Sequence, residues 1–223
     1  VTVTRRIPEK PGPGRLGRHV RHDPASRAFA VEAAPTSTLV SVVHKRRVPP
    51  YDQGNLGSCV GNATAGILST APFRHSFHER TAVRIYSAAT KLDAYPGDYP
   101  PDDTGTDGLA GAAVAKAKGW CSAYLHAFSL EAALTALQTS AVMVGMAWLT
   151  GCDKPDGTGL IRYTGTVRGG HEICADSINV KDRLVGFTNS WGTSFGAAGR
   201  FYMTWDDLGL ALADQGDVTQ LVP

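Results

Sequence analysis

Apolar positions recur along this chain with two different periods, and the change from one to the other divides it. In the first half the spacing is that of helices. Ser58 stands where it can cap a helix running through Cys59, Ala63, Ile67 and Leu68. Glu79 to Leu92 carries Ala82, Val83, Tyr86 and Ala89 on one helical face. Thr106 to Lys118 is Ala-rich and stops at Gly119, a residue suited to a helix end. Leu130 to Leu137 predicts a shorter helix. Beyond it the pattern becomes that of strands. Ala141 to Trp148 is a continuous apolar run and reads as a buried strand. Glu172–Val180, Leu184–Thr188, Arg200–Thr204 and Val218–Val222 are further strand candidates, and Thr38–Val43 has strand-like β-branched content. Helices followed by strands predict an α+β fold with a cleft between two unlike halves.

Residues 1–35 fit neither period. They are rich in Arg, Pro and Gly and predict an extended arm, a linker or a short pro-segment ahead of a body at 36–223. Residues 1–47 hold ten Lys or Arg against three Asp or Glu. Such a basic arm could touch an acidic partner or its own body; a solvated tail is the plainer expectation. The whole chain of 223 residues carries a net charge of only +2, which gives no footing for nucleic-acid binding. The longest apolar stretch, Ala141 to Leu149, is too short to span a bilayer, and no apolar leader stands at the N-terminus. The cysteines at 59, 121, 152 and 174 form no CxxC pair and no zinc spacing, so neither a metal nor an organic cofactor is expected. If one of the four works as a thiol, an odd number remains. That leans toward a reducing compartment, cytoplasmic or virion-associated rather than secreted.

Three short segments carry candidate chemistry. In Gln53-Gly54-Asn55-Leu56-Gly57-Ser58-Cys59, two glycines allow tight turns before a Cys in the first turn of a helix. The helix dipole and free N–H groups there favour thiolate and can hold an oxyanion, to which Gln53 could add a donor. Alone, Cys59 reads better as a small buried helix residue. In Gly169-Gly170-His171-Glu172, two glycines open space before a His able to act as a base; a core His is the alternative. In Asn189-Ser190-Trp191-Gly192, the Asn amide oxygen could accept from one imidazole nitrogen under cover of Trp191. The alternative is a turn Asn followed by a core Trp.

Taken together and in this order, Asp52-Gln53-Gly54, Gly57-Ser58-Cys59, Gly170-His171 and Asn189-Ser190-Trp191-Gly192 resemble the papain family of cysteine peptidases. The likeness is nearest to compact bacterial or bacteriophage members and spans roughly residues 36–222. It implies a two-lobed fold, with a helical lobe at about 50–128 and a β-barrel-like lobe built from 36–49 and 129–223. It implies Cys59 as nucleophile, His171 as its base, Asn189 orienting that His, and Gln53 with the Cys59 N–H as oxyanion hole. Gly105, in Asp103-Thr104-Gly105-Thr106, resembles the wall that pairs with the acyl side of a peptide substrate. Gly170 and Trp191 would complete the substrate site, Trp191 on the leaving-group side. The implied partner is a peptide or protein substrate.

The chain also departs from the family pattern. Leu56 stands where many members carry a disulfide-forming Cys, Val60 replaces the usual Trp after the nucleophile, and Phe195 replaces a second Trp. Glu172 after the His is unusual, and a structural or pH-tuning role is expected of it. The arm is too short to copy the long inhibitory pro-region of eukaryotic members, though it could still lie across the cleft. Two other functions fit the residues less well: a cell-wall peptide amidase with the same triad, and a non-catalytic or virion-structural protein on a peptidase fold.

Overall fold

The computed structural model describes residues 1–223. It contains five helices, α1 (Cys59–Leu68), α2 (Glu79–Ala89), α3 (Gly108–Ala117), α4 (Leu130–Ala136) and α5 (Trp205–Ala213). Nine strands accompany them: β1 (Val3–Arg5), β2 (Val20–His22), β3 (Val42–Val43), β4 (Ala123–Ala127), β5 (Val142–Leu149), β6 (Val167–Asn179), β7 (Leu184–Thr188), β8 (Arg200–Thr204) and β9 (Asp217–Val222). The main sheet runs β4-β9-β5-β6-β7-β8, with β3 set against β6. All its pairings are antiparallel. The path is open, with β4 and β8 at its ends, where a barrel-like lobe was expected.

The two sheet faces bury different partners. Val144, Met146, Trp148, Ile173 and Phe187 pack with Leu134, Leu137 and Leu208 of the α4–α5 side in the larger core. Met143 and Cys174 pack on the other face with Ala63, Ile67, Ala112 and Ala115 of α1 and α3. This double coverage is why β5 is buried along its whole length and reads as an unbroken apolar run.

The expected helices α1 to α4 are present, trimmed by up to three residues at an end. The cap of α1 differs: Ser58 precedes the helix but makes no side-chain cap bond, and its hydroxyl instead accepts from Asn62 Nδ2 at 3.0 Å. The segment Thr38–Val43 pairs only at Val42 and Val43. Strand β6 begins at Val167, five residues before the expected start, so His171 lies within a strand rather than leading into one. Helix α5 was not anticipated, although Thr204 and Asp207 form a reciprocal cap at its start, 2.9 and 3.0 Å.

The arm is not a solvated tail. Strands β1 and β2 pair antiparallel, so residues 1–22 form a hairpin with a long connection. Along it Ile7, Leu16, Arg18, His19 and Val20 are buried against the body. Its basic residues find acidic partners within the chain: Arg15 on Glu9 and Asp103, Arg18 on Asp217, Arg21 on Asp107 at 3.8 Å. No helix is long and apolar enough to cross a membrane.

Candidate active site

Helix α1 lies against β6, and this contact brings the three sequence segments together. Cys59 opens α1 and is fully buried. The backbone N–H groups of Glu172, the residue after His171, and of Val60 favour its thiolate form. Burial pushes the thiol up to about 12, with those N–H groups opposing the shift. The loop before it is held by Asp103, whose carboxylate accepts from the Gly57 N–H at 3.0 and 3.1 Å and from the Tyr86 hydroxyl at 2.7 Å.

Across the cleft, Asn189 directly follows β7, the neighbour of β6, and its Oδ1 lies 2.8 Å from His171 Nε2. Oδ1 also accepts the Ser190 N–H at 2.8 Å. That identifies this Asn189 atom as the oxygen and puts the imidazole proton on Nε2. Nδ1 is thereby left as the basic nitrogen; it is buried and has no partner. Trp191 stacks on the imidazole at a centroid distance of 5.0 Å and 29°, and Trp148 meets it edge-on at 4.9 Å. Enclosure lowers the His171 pKa to about 4, against the raising effect of Asn189. Burial thus favours the uncharged form of both groups.

Gln53 is buried beside this centre. Its Oε1 accepts the Ser190 hydroxyl at 2.6 Å, which turns Nε2 toward the cleft. Nε2 donates to Leu56 O at 2.8 Å and approaches Leu16 O at 3.4 Å. Ser190 was not singled out in the sequence; its position next to Asn189 gives no hint that its hydroxyl reaches residue 53.

The second of those acceptors belongs to the arm, which fills the cleft. The Trp191 Nε1–H donates to Arg15 O at 2.9 Å, and Gly14 packs on the indole so closely that a Cβ there would collide with it. Gly17 crosses at φ +139, against the carbonyl of Gly57, and again leaves no room for a Cβ. The N–H groups of Gly17 and Arg18 both donate to Gly170 O, at 3.1 and 2.9 Å. On the opposite wall Thr106 N–H donates to Gly17 O at 2.9 Å, and His19 N–H donates to Thr106 O at 2.8 Å. Of the three expected substrate contacts, Gly170 and Trp191 bond to the arm, while on the opposite wall the paired bonds are made by Thr106 and not by Gly105, which only lies close to Gly17 O. Cys59, Cys121, Cys152 and Cys174 are all free and buried, and no cluster of His, Cys, Asp or Glu is arranged to hold a metal.

No protein-family model and no curated protein sequence matches the chain. Its fold does match solved structures. Xylellain, a cysteine protease from Xylella fastidiosa, superposes with a TM-score of 0.71 over 97% of this chain and 100% of its own, at 17% identity. Digestive procathepsin L 3 of Tenebrio molitor larval midgut superposes at 0.60, covering 94% of this chain and 76% of its own at 12% identity. A stem bromelain precursor gives 0.57, over 98% and 77% at 12% identity. The chain therefore has the papain-like fold, two-lobed and open-sheeted.

Proposed function

We propose that the chain is a cysteine endopeptidase held in an inhibited state by residues 6–19 of its own arm. The observation that carries the reading is the buried His171, fixed through Nε2 by Asn189 with Nδ1 unpartnered, on the strand against which Cys59 is packed. A residue kept only for packing would not need one imidazole nitrogen aligned and the other left bare.

With the cleft open to water and substrate, both pKa shifts relax, and Nδ1 takes the thiol proton to form a thiolate–imidazolium pair. The Cys59 sulfur attacks the scissile carbonyl carbon. Negative charge moves to the carbonyl oxygen, where Gln53 Nε2 and the Cys59 N–H can stabilise it. As the C–N bond breaks, His171 delivers its proton to the leaving amine on the Trp191 side, leaving a thioester. Water then attacks the thioester, His171 taking its proton and returning it to sulfur, and the acid product leaves.

The arm follows the same path in the wrong direction. It runs from Trp191, the leaving-group side, toward the Gly105–Thr106 wall, the acyl side. Leu16 O approaches Gln53, but its amide nitrogen, that of Gly17, lies toward the acyl wall and cannot depart as a leaving amine on the Trp191 side. The arm is held without being presented for cleavage.

Labelling of full-length protein with an epoxide inhibitor of cysteine peptidases, read by mass spectrometry, tests both parts. The expectation is slow labelling confined to Cys59, accelerated together with casein hydrolysis when the arm is loosened by Arg18→Glu. A folded Arg18→Glu protein that neither labels at Cys59 nor cleaves any peptide would overturn the peptidase reading. Equal labelling of both proteins would overturn the inhibitory role of the arm.

A further inference from the structure

Arg18 is the arm residue whose side chain leaves the cleft and enters the body. Its backbone is pinned between Gly170 and Thr106, which already bars the cleft. Its side chain is nonetheless completely buried, in a recess between Gly145 on β5, Glu172 on β6, Asp217 at the start of β9 and Gly108 at the start of α3. The guanidinium pairs with Asp217 and donates through Nη2 to Gln215 O at 2.9 Å, while Nε and Nη1 have no hydrogen-bond acceptor.

Glu172 forms the floor of the recess. It is 1% exposed, and neither carboxylate oxygen has a hydrogen-bond partner. A Cβ placed on Gly145 would lie 2.7 Å from both Arg18 Nε and Glu172 Oε2, so the two groups face one another across the space that this glycine leaves open. A Cβ on Gly108 would stand 2.9 and 3.1 Å from the Glu172 oxygens, which places the carboxylate against the first turn of α3, where the helix dipole favours negative charge. Asp107, the buried cap of that helix, adds a third acid nearby. Burial and the neighbouring Asp217 push the Glu172 carboxyl up, and Arg18 pulls it back. A buried, unpaired carboxylate is costly unless a cation meets it.

The position of the recess relative to the reacting atoms can be counted along the arm. Leu16 O is the carbonyl nearest Gln53 Nε2. Moving toward the Gly105–Thr106 wall, Gly17 is the first residue and Arg18 the second. A substrate lying in the productive direction would put the residue before its scissile bond at the place of Gly17, and the residue before that at the place of Arg18.

We propose that this recess is the specificity pocket for the substrate residue two positions before the scissile bond, and that Glu172 and Asp217 select Arg or Lys there. The proposal rests on the peptidase reading above and names its substrate class. When the arm leaves, the recess loses its cation. An apolar substrate side chain would cover Glu172 and leave it desolvated and unpaired, whereas a basic one restores the balance that Arg18 supplied. Arg is favoured over Lys, because its planar fork can address Asp217 and Glu172 from different nitrogens.

The test is a peptide-library cleavage profile of full-length Arg18→Glu protein, in which the recess is vacated. A charge-assisted contact of this kind is worth about 10- to 100-fold in discrimination. Arg over Leu at the second position is therefore expected at about that ratio in kcat/KM. Glu172→Gln and Asp217→Asn, each in the same background, should each lower the Arg-to-Leu ratio by about tenfold or more. A preference for apolar residues at that position overturns the proposal, and the profile of the Arg18→Glu protein alone can show it, whether or not the further variants fold. A ratio unmoved by either substitution overturns it too. Cleavage with no second-position preference refutes the pocket and leaves the peptidase reading standing. No cleavage at all, with Cys59 unlabelled, refutes the peptidase reading and takes the pocket with it.

Discussion

Arg18→Glu is the perturbation whose consequence can be worked most directly from the structure. In the docked arm Arg18 is fully buried and pairs with Asp217, whose side chain is 21% exposed. Removing one member of a buried pair costs about 3–5 kcal/mol, because the other is left desolvated. The partial exposure of Asp217 argues for the lower figure, about 3 kcal/mol. At about 1.4 kcal/mol per factor of ten, the open-arm population should rise by at least about 10²-fold. Cys59 is covered in the docked state, so its alkylation by iodoacetamide should accelerate by a similar factor. Two of the other cysteines supply the control. Cys152 and Cys174 lie in the cores on the two sheet faces and become reactive only when the body itself unfolds. A selective rise at Cys59, followed by peptide mapping, supports arm release. A rise shared by Cys59, Cys152 and Cys174 would mean that the substitution unfolds the protein, and no rise at all would mean that Arg18 does not hold the arm.

Three further outcomes follow from single contacts. In the arm-released background, Gln53→Ala should lower kcat by about 10²–10³-fold with Cys59 still open to alkylation, since in the proposed mechanism it removes an oxyanion donor and not the nucleophile. Asp107 has its pKa raised to about 6, chiefly by burial, so the stability it lends is present below its unfolded value near 3.8 and is lost as pH rises through about 6. Thermal melts should therefore show Asp107→Asn gaining on wild type between pH 4.5 and 7.5, the Asn still able to cap α3; a constant difference across that range would refute the assignment. Asp176 is fully buried, paired with Arg200 through two bonds of 2.6 and 2.7 Å and accepting from Thr188 Oγ1 at 2.6 Å. Asp176→Ala should cost about 3 kcal/mol in denaturant unfolding, the lower end for a buried pair, because the Arg200 side chain it leaves without a partner is 31% exposed.

The body was more legible in the sequence than the arm, for physical reasons. Helices α1 to α4 and strands β5 to β9 announce themselves because each buries a periodic face. The His171–Asn189 pair was legible because the two lie at the ends of one antiparallel turn-back, β6 to β7, a local consequence of chain order. What the sequence hid depends on partners far along the chain. Ser190 matters through Gln53, 137 residues away, and Arg18 through Asp217, 199 residues away. The Pro- and Gly-rich composition of the arm predicts no helix or sheet and so reads as a tail. Yet Gly14 and Gly17 are there for close approach to Trp191 and Gly57, a requirement visible only once those partners are placed. Glu172 was legible as an oddity; its chemistry was not, because Gly145 and Gly108, which make room for it, are ordinary residues in sequence.

Placing Arg18 and a substrate side chain in one recess couples inhibition to specificity. Both states draw on Glu172, so a change there should move two readouts together. In the chain with its native arm, Glu172→Gln should speed Cys59 alkylation, because the docked Arg18 loses one of its acids. In the arm-released background it should lower the Arg-to-Leu selectivity. The direction of the first effect is not trivial, since neutralising Glu172 also removes a buried charge that burial penalises. If Glu172 were already protonated in the docked state, Gln would mimic it and alkylation would not change. If attraction to Arg18 keeps it ionised, alkylation accelerates. Selectivity falling without any change in alkylation would therefore locate the proton on Glu172 when the arm is in place, and would leave Asp217 alone as the residue that holds Arg18.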